Sequence, residues 1–352
     1  MRILFRLFPR SRWAQVRGLQ HRSADCGRLI APKRPDPSGT NLRAPESPAK
    51  AVQILVNRGG GAASAAGDKL RDELAAAVEA HGVNGKIEFA DGGDISKRAE
   101  DAAKAGEPLL VVGGGDGSIS AAAGALAGTD TVLGLLPLGT LNHLSRDLGV
   151  PAKLDQAVAV IAAGQQRRID VAEVNGRVFV NNAAIGLYPL MVLDREAQQH
   201  RLGRSKRLAM LVAVLRALIR FRHHRLSLTV NEQDQATLDT PLLFVGNNEY
   251  SLELPNAGTR AALDDGRLCV MVMRKKGRAG LIAATLRVLI GRVRNDDMIR
   301  LDDVTRLRVA SRRSHLTLAI DGETLSVETP LDFRIRPGAL TVIVPADEPS
   351  AA

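Results

Sequence analysis

The sequence predicts an α/β chain in two parts, a parallel sheet covered by helices and then a mostly antiparallel, β-rich domain. Three observations carry this. Between residues 51 and 136 short apolar runs alternate with helical patterns. Two glycine-bearing loops fall where such runs end, the edge of a parallel sheet that holds ligands. From Arg168 the apolar period becomes two around Asn175-Gly176, the strongest short hairpin signal.

Taken in order, residues 51–57 (AVQILVN) form a β-branched strand that runs into Arg58 and the glycines Gly59 to Gly61. Leu70, Leu74 and Val78 recur at helical spacing and predict a helix over 67–80. A second strand (86–90), a second helix (95–105) and a third strand (108–112) follow. The glycine run comes next, then a helix over 117–126 and a fourth strand over 131–136. Beyond the Asn175-Gly176 hairpin, β runs are expected at 225–230, 240–246, 266–273 and 306–309.

Composition bounds the rest. The 352 residues, 45% of them hydrophobic, suffice for two domains. Cys26 and Cys269 form neither a disulfide framework nor a zinc pattern. No apolar run approaches the ~18 residues of a membrane span, so the chain reads as soluble or peripheral and cytoplasmic. Residues 1–50 carry 11 Lys/Arg against 3 Asp/Glu, leaving the other 302 residues at only +2. Residues 1–49 therefore read as a disordered basic tail, mitochondrial in destination if its ILFRLF start belongs to a presequence. The expected boundaries are 50–166 for the parallel α/β part and 167–325 for the β-rich part, with strands from 326–345 completing the former.

The stretch VVGGGDGSIS, from Val111, sets four glycines within five residues. Each weakens regular structure by roughly 0.5–1 kcal/mol relative to alanine, which calls for close backbone approach to a ligand. The spacing fits neither GxxxxGK[ST] nor GxGxxG after a first strand. What remains is a turn of bare N–H groups at a helix start, suited to a nucleotide phosphate; a tight turn with Asp116 as helix cap is the alternative.

Two further segments join it: PLGTLNHLSRDLG from Pro137, and AIDGETLSVE from Ala319. Together the three resemble the catalytic domain of diacylglycerol kinases and related bacterial lipid and sphingosine kinases, in order and spacing over about residues 52–344. The resemblance implies an NAD kinase/diacylglycerol kinase-like fold with a β-sandwich-like second domain, and ATP in the cleft between the parts. It implies nucleotide contacts from Gly113, Gly114, Gly115, Asp116, Gly117, Ser118, Thr140 and Asn142. Asp116 would orient Mg²⁺ or the acceptor hydroxyl, Glu323 matches the proton acceptor, and Asp321 is its close competitor. AALDDGRL, from Ala261, resembles the family's structural Mg²⁺ turn, with Asp265 as carboxylate and carbonyls from Ala262 and Arg267; a plain Asp-Gly hairpin is the other reading. Departures from the pattern are Ser118 for Thr, His143 where Asp is usual, and AIGLYP from Ala184.

Partners follow from charge. Residues 201–225 and 267–294 each hold 8 Lys/Arg and no acid. An anionic membrane surface met through 201–225 and 281–294 is expected, since each such cation near the leaflet contributes about 1 kcal/mol. At 3% aromatic content little is available to stack bases, against nucleic acid as a partner. The resulting reading is an ATP- and Mg²⁺-dependent kinase of a diacylglycerol-like lipid. Its alternatives are a kinase of a sphingoid base, phosphatidylglycerol or NAD, or an inactive nucleotide- or lipid-binding protein, which His143 motivates.

Overall fold

The computed structural model of the protein describes residues 51–59, 67–186, 223–251, 259–274 and 298–346. The tail 1–49, residues 187–189 of AIGLYP, and the basic stretches 201–222 and 281–294 lie outside the described residues.

Strands β1 (Val52–Asn57), β2 (Gly85–Ala90), β3 (Leu109–Gly114) and β4 (Val132–Pro137) lie in the order β2-β1-β3-β4, all parallel. The central strands β3 and β4 are near-continuous apolar runs because both faces are covered, whereas the edge strand β2 (GKIEFA) carries Lys86 and Glu88 and is mostly half-buried. Helices α1 (Asp68–Ala80) and α5 (Leu154–Ala163) pack together, as do α2 (Ile95–Lys104) and α3 (Asp116–Leu126). On α2 the buried residues Ile95, Ala99 and Ala102 make one face. The short α4 (His143–Asp147) follows the loop after β4.

The antiparallel part begins with β5 (Gln166–Val174) and β6 (Arg177–Phe179), joined through Asn175 and Gly176 at φ 47° and 80°. Next come β7 (Asn182–Gly186), β8 (His224–Val230), β9 (Gln233–Thr240), β10 (Leu242–Asn247) and β11 (Leu268–Met273). The chain closes with β12 (Met298–Val304), β13 (Arg306–Ser311), β14 (His315–Ile320), β15 (Glu323–Glu328) and β16 (Leu331–Ile343). A six-stranded sheet, β12-β11-β10-β7-β14-β15, faces the antiparallel half of a ten-stranded sheet, and Phe179, Leu228, Val270, Leu318 and Phe333 fill the space between them.

This is the parallel α/β plus antiparallel sandwich architecture that the sequence predicts. The two parts share one sheet, however, because the 13-residue β16 runs through both. It starts in the sandwich against β13 and β5, shifts register between Arg336 and Leu340, and ends parallel to β4 at Val342. Of the segment expected to return to the first part, Ser326–Glu328 stays in the six-stranded sheet with β14, and β16 makes the return. Strand β3 also extends past the expected end at Val112 to include Gly113 and Gly114.

Candidate active site

The glycine turn divides into packed and open parts. A Cβ on Gly113 would meet Leu138 Cδ1 at 3.0 Å and Val56 Cγ2 at 3.3 Å; one on Gly114 would lie 2.6 Å from Ser118 Oγ. These two glycines are buried and serve the packing of β3. The Ser118 hydroxyl is likewise turned inward, 7% exposed, accepting a 2.7 Å hydrogen bond from Asn57 Nδ2. What stays open is Gly115 and Gly117. Gly115 is the extended N-cap of α3 with no side-chain cap, so the first-turn N–H groups lack a side-chain acceptor.

The second loop lies against the first through bare glycines. A Cβ on Gly139 would sit 2.4 Å from Gly115 Cα, so only glycine permits the approach. Asn142, at φ 48°, closes this loop with its own amide. Its Oδ1 accepts from Gly139 N at 2.9 Å, and its Nδ2 donates to Gly139 O at 2.9 Å and Pro137 O at 3.4 Å. The side chain expected to touch nucleotide is therefore engaged as a brace, while Thr140 is exposed at the loop's tip. Asp116 ties the loops together, its carboxylate accepting from the N–H of Asn142 at 3.1 Å and of His143 at 2.6 Å. The His143 ring lies 3.3 Å from Arg146 Nη2.

Opposite stands the turn between β14 and β15, with Asp321 at φ 47° and Gly322 at φ 89°. Asp321 points inward. It accepts from the Ser120 hydroxyl and from the N–H groups of Val180 (2.9 Å), Asn181 (2.9 Å) and Asn182 (3.0 Å). Burial pushes its carboxyl pKa up while the four hydrogen bonds pull it down, and burial prevails. With four donors on its oxygens, Asp321 fits a latch better than the proton acceptor for which it competed. Glu323 points outward and is exposed; its Oε1 lies 3.4 Å from where a Cβ on Gly117 would be.

Between hairpin and helix runs a slot of about 280 Å³, near the lower end of small-molecule sites at roughly 300 Å³. It exists because α3 turns its bulky residues Ile119 and Leu126 into the core, while Gly117, Ser120, Ala121, Gly124 and Ala125 on the other side leave the space unfilled. Glu323 and Asp321 line it with Gly117, the Gly176-Arg177 turn lines it from the β5–β6 hairpin, and Ser96 and Glu100 line it from α2.

The Asp265 turn is held to β5 and β16. Asp170 accepts from Gly266 N at 2.7 Å and Gly338 N at 2.8 Å, and Asn248 Oδ1 accepts from Asp265 N at 3.1 Å. The Asp265 side chain is exposed, and the Arg267 carbonyl accepts one hydrogen bond, from Asn248 N at 3.1 Å. Among the described residues no three His, Cys, Asp or Glu side chains group to hold a metal.

Three contributors were missed in the sequence. Asn57 ends β1, and its Oδ1 also accepts from Gly59 N at 2.9 Å; the Asn-Arg-Gly sequence after an apolar run was its signal. Asp147 and Arg260 form a buried ion pair, Nε to Oδ2 2.7 Å, at 3% and 0% side-chain exposure. Nothing in their local sequence marks them.

Residues 51–174 match the diacylglycerol kinase catalytic domain family, and residues 191–344 match the YegS C-terminal NAD kinase beta sandwich-like domain. The chain is 30% identical over 264 residues to a protein of Pseudomonas syringae pv. syringae named "Probable lipid kinase YegS-like", covering 74% of this chain and 83% of that one. It is 26% identical over 271 residues to "Probable lipid kinase YegS" of Salmonella gallinarum, covering 73% and 85%. A crystal structure of a diacylglycerol kinase from Bacillus anthracis str. Sterne shares the fold, with TM-score 0.60 at 21% identity over 86% of this chain and 98% of that one.

Proposed function

The chain belongs to the family of YegS-like lipid kinases with a diacylglycerol kinase catalytic domain, and from that premise we propose that it transfers the γ-phosphoryl group of ATP to the hydroxyl of a diacylglycerol-like lipid. The observation that carries the reading is the free Glu323 carboxylate beside Gly117, where the slot meets the open glycine turn.

The nucleoside of ATP occupies the slot along the small-residue side of α3. Its phosphates lie over the N–H groups at Gly115 and Gly117, where the helix start favours negative charge. Thr140 and the Gly139 main chain face the phosphates from the second loop. The lipid hydroxyl oxygen attacks the γ-phosphorus, the bond to the β–γ bridging oxygen breaks, and ADP leaves with that electron pair. The hydroxyl proton goes to Glu323 Oε1. A carboxylate is a weak base toward an alcohol, so the proton moves late and Glu323 mainly orients the attacking oxygen. Mg²⁺ would supply charge neutralisation at the phosphates, faced by the outward lone pairs of Asp116, with a structural ion held by Asp265 and the carbonyls of Ala262 and Arg267. The acid-free basic stretches 201–225 and 281–294 support an acceptor presented at an anionic membrane surface.

The test is incubation of the purified protein with labelled ATP, Mg²⁺ and phosphatidylglycerol vesicles containing diacylglycerol, beside Glu323→Gln and Asp116→Ala. Label in organic-extractable phosphatidic acid, cut about a hundredfold in Glu323→Gln and lost in Asp116→Ala, is the expected result. ATP binding with no label in any lipid, or a Glu323→Gln variant as active as wild type, overturns it.

A further inference from the structure

Two loops of the first part and one hairpin of the second must hold their spacing for Glu323 to face a phosphate, and a continuous polar circuit joins them. It starts at Asp116, whose carboxylate holds the amides of Asn142 and His143 at the start of α4. At the end of α4, Asp147 accepts from Arg260 Nε at 2.7 Å. The same guanidinium donates through Nη1 to Val180 O at 2.5 Å and Asn247 O at 3.3 Å, and through Nη2 to Asn181 Oδ1 at 3.1 Å. On their other side, the amides of Val180 and Asn181 are bound by Asp321. Asp321 closes the circuit onto α3 through the Ser120 hydroxyl and lies two residues from Glu323.

We propose that Arg260 is a positioning residue for phosphoryl transfer, fixing the spacing between the glycine-turn loops and the Glu323 hairpin by gripping Asp147 and residues 180–181 at once. This deepens the kinase reading and rests on it. The guanidinium suits the task because one planar group sends donors in three directions. Its charge lies between two enclosed carboxylates, those of Asp147 and Asp321, so the segment 180–182 is held from both sides. The Tyr250 ring, 5.4 Å from the guanidinium carbon, covers a further side.

Arg260→Ala leaves the buried Asp147 carboxylate without a hydrogen-bonded partner, with only the Arg146 guanidinium at 3.9 Å, and is expected to misfold. The informative variant is Arg260→Lys, which keeps the charge but loses the fork. Its melting temperature is expected to fall, because lysine cannot reach all of the buried acceptors the fork satisfies, while KM for ATP stays near wild type and kcat falls about a hundredfold, the cost of a misplacement of about 1 Å. Because the arginine acts through Glu323, the same substitution made in a Glu323→Gln background should lower kcat no further. An unchanged kcat, a KM for ATP that rises by the same factor, or an equal loss in the Glu323→Gln background overturns the proposal. Hydrogen exchange reads the linkage without catalysis. In Arg260→Lys the amides of Val180, Asn181 and Asn182 should exchange faster while those of Ile54 to Val56 do not, and unchanged exchange there overturns the proposal. Should the wild type label no lipid, the kinase reading fails, and the exchange result still decides whether Arg260 holds the segment.

Discussion

Glu323 Oε1 lies 3.4 Å from the position a Cβ on Gly117 would take, although the two residues are far apart in the chain. Gly117 is the second residue of α3 and its backbone is ordinary helix, so alanine there removes a helix penalty of about 1 kcal/mol rather than adding strain. The added methyl group touches the carboxylate and narrows the mouth of the slot. Gly117→Ala is therefore expected to raise the melting temperature slightly while lowering kcat about tenfold or more. Thermal unfolding and steady-state kinetics on the same preparation check it; a variant as active as wild type would separate Glu323 from the acceptor position.

Gly139→Ala should behave in the opposite way. Its Cβ would lie 2.4 Å from Gly115 Cα and 2.6 Å from Asn142 Oδ1, main chain on one side and a three-bond brace on the other. Neither can move without opening the phosphate turn. Overpacking of this kind costs about 1–3 kcal/mol, and ATP binding should weaken along with stability. Denaturant midpoints and nucleotide titration measure both; loss of stability with intact ATP affinity would place the nucleotide elsewhere.

The central parallel strands were legible because burial on both faces makes them plain apolar runs, and the first hairpin because Asn175-Gly176 adopts positive φ that few other pairs tolerate. Strands β9 (QDQATLDT) and β12 (MIRLDDV) escaped notice: each lies at an edge of its sheet, where one side meets solvent and polar residues interrupt the pattern. The site divides similarly. Glycines and the Asp-Gly-Glu turn announce themselves through residue type. At Asn142 residue type alone leaves two roles open, because the same amide that can bind a ligand can equally close its own loop, as it does here. Arg260 and Asp147 were invisible because burial of a charge depends on neighbours 79 to 113 residues away, which no local pattern records.

Asp321→Asn tests the latch. Each carboxylate oxygen accepts two hydrogen bonds, so an amide leaves one pair of donors facing an NH₂ group. The Ser120 hydroxyl can rotate to accept, but the Val180 N–H cannot. A cost of about 1–3 kcal/mol in unfolding free energy is expected for that unmet donor, with a fall in kcat because Glu323 rides on the same turn. An amide variant of full stability would mean that the carboxylate is not holding residues 180–182.

Tyr250 gives the pH dependence of the region around Arg260. Its ring is packed edge-on to Phe244, with centroids 5.4 Å apart, and burial is the chief reason its phenol pKa is pushed up to about 12, against the lowering pull of Arg260 and of a hydrogen bond with Asn182. A group whose folded pKa is raised stabilises the fold fully below its unfolded value, here about 10. That contribution is lost as pH rises through about 12. Absorbance titration of a Tyr188→Phe variant, which leaves Tyr250 as the single phenol of the chain, should give a midpoint near 12, and the melting temperature should decline over the same interval. In Arg260→Lys the ammonium, with an ordinary value of about 10.4, is neutral before the phenol titrates, so the lowering pull of Arg260 is lost and the midpoint should rise above that of wild type. A midpoint near 10 in the folded protein would mean that the ring is open to water and that the guanidinium lacks the cover that keeps its hydrogen bonds dry.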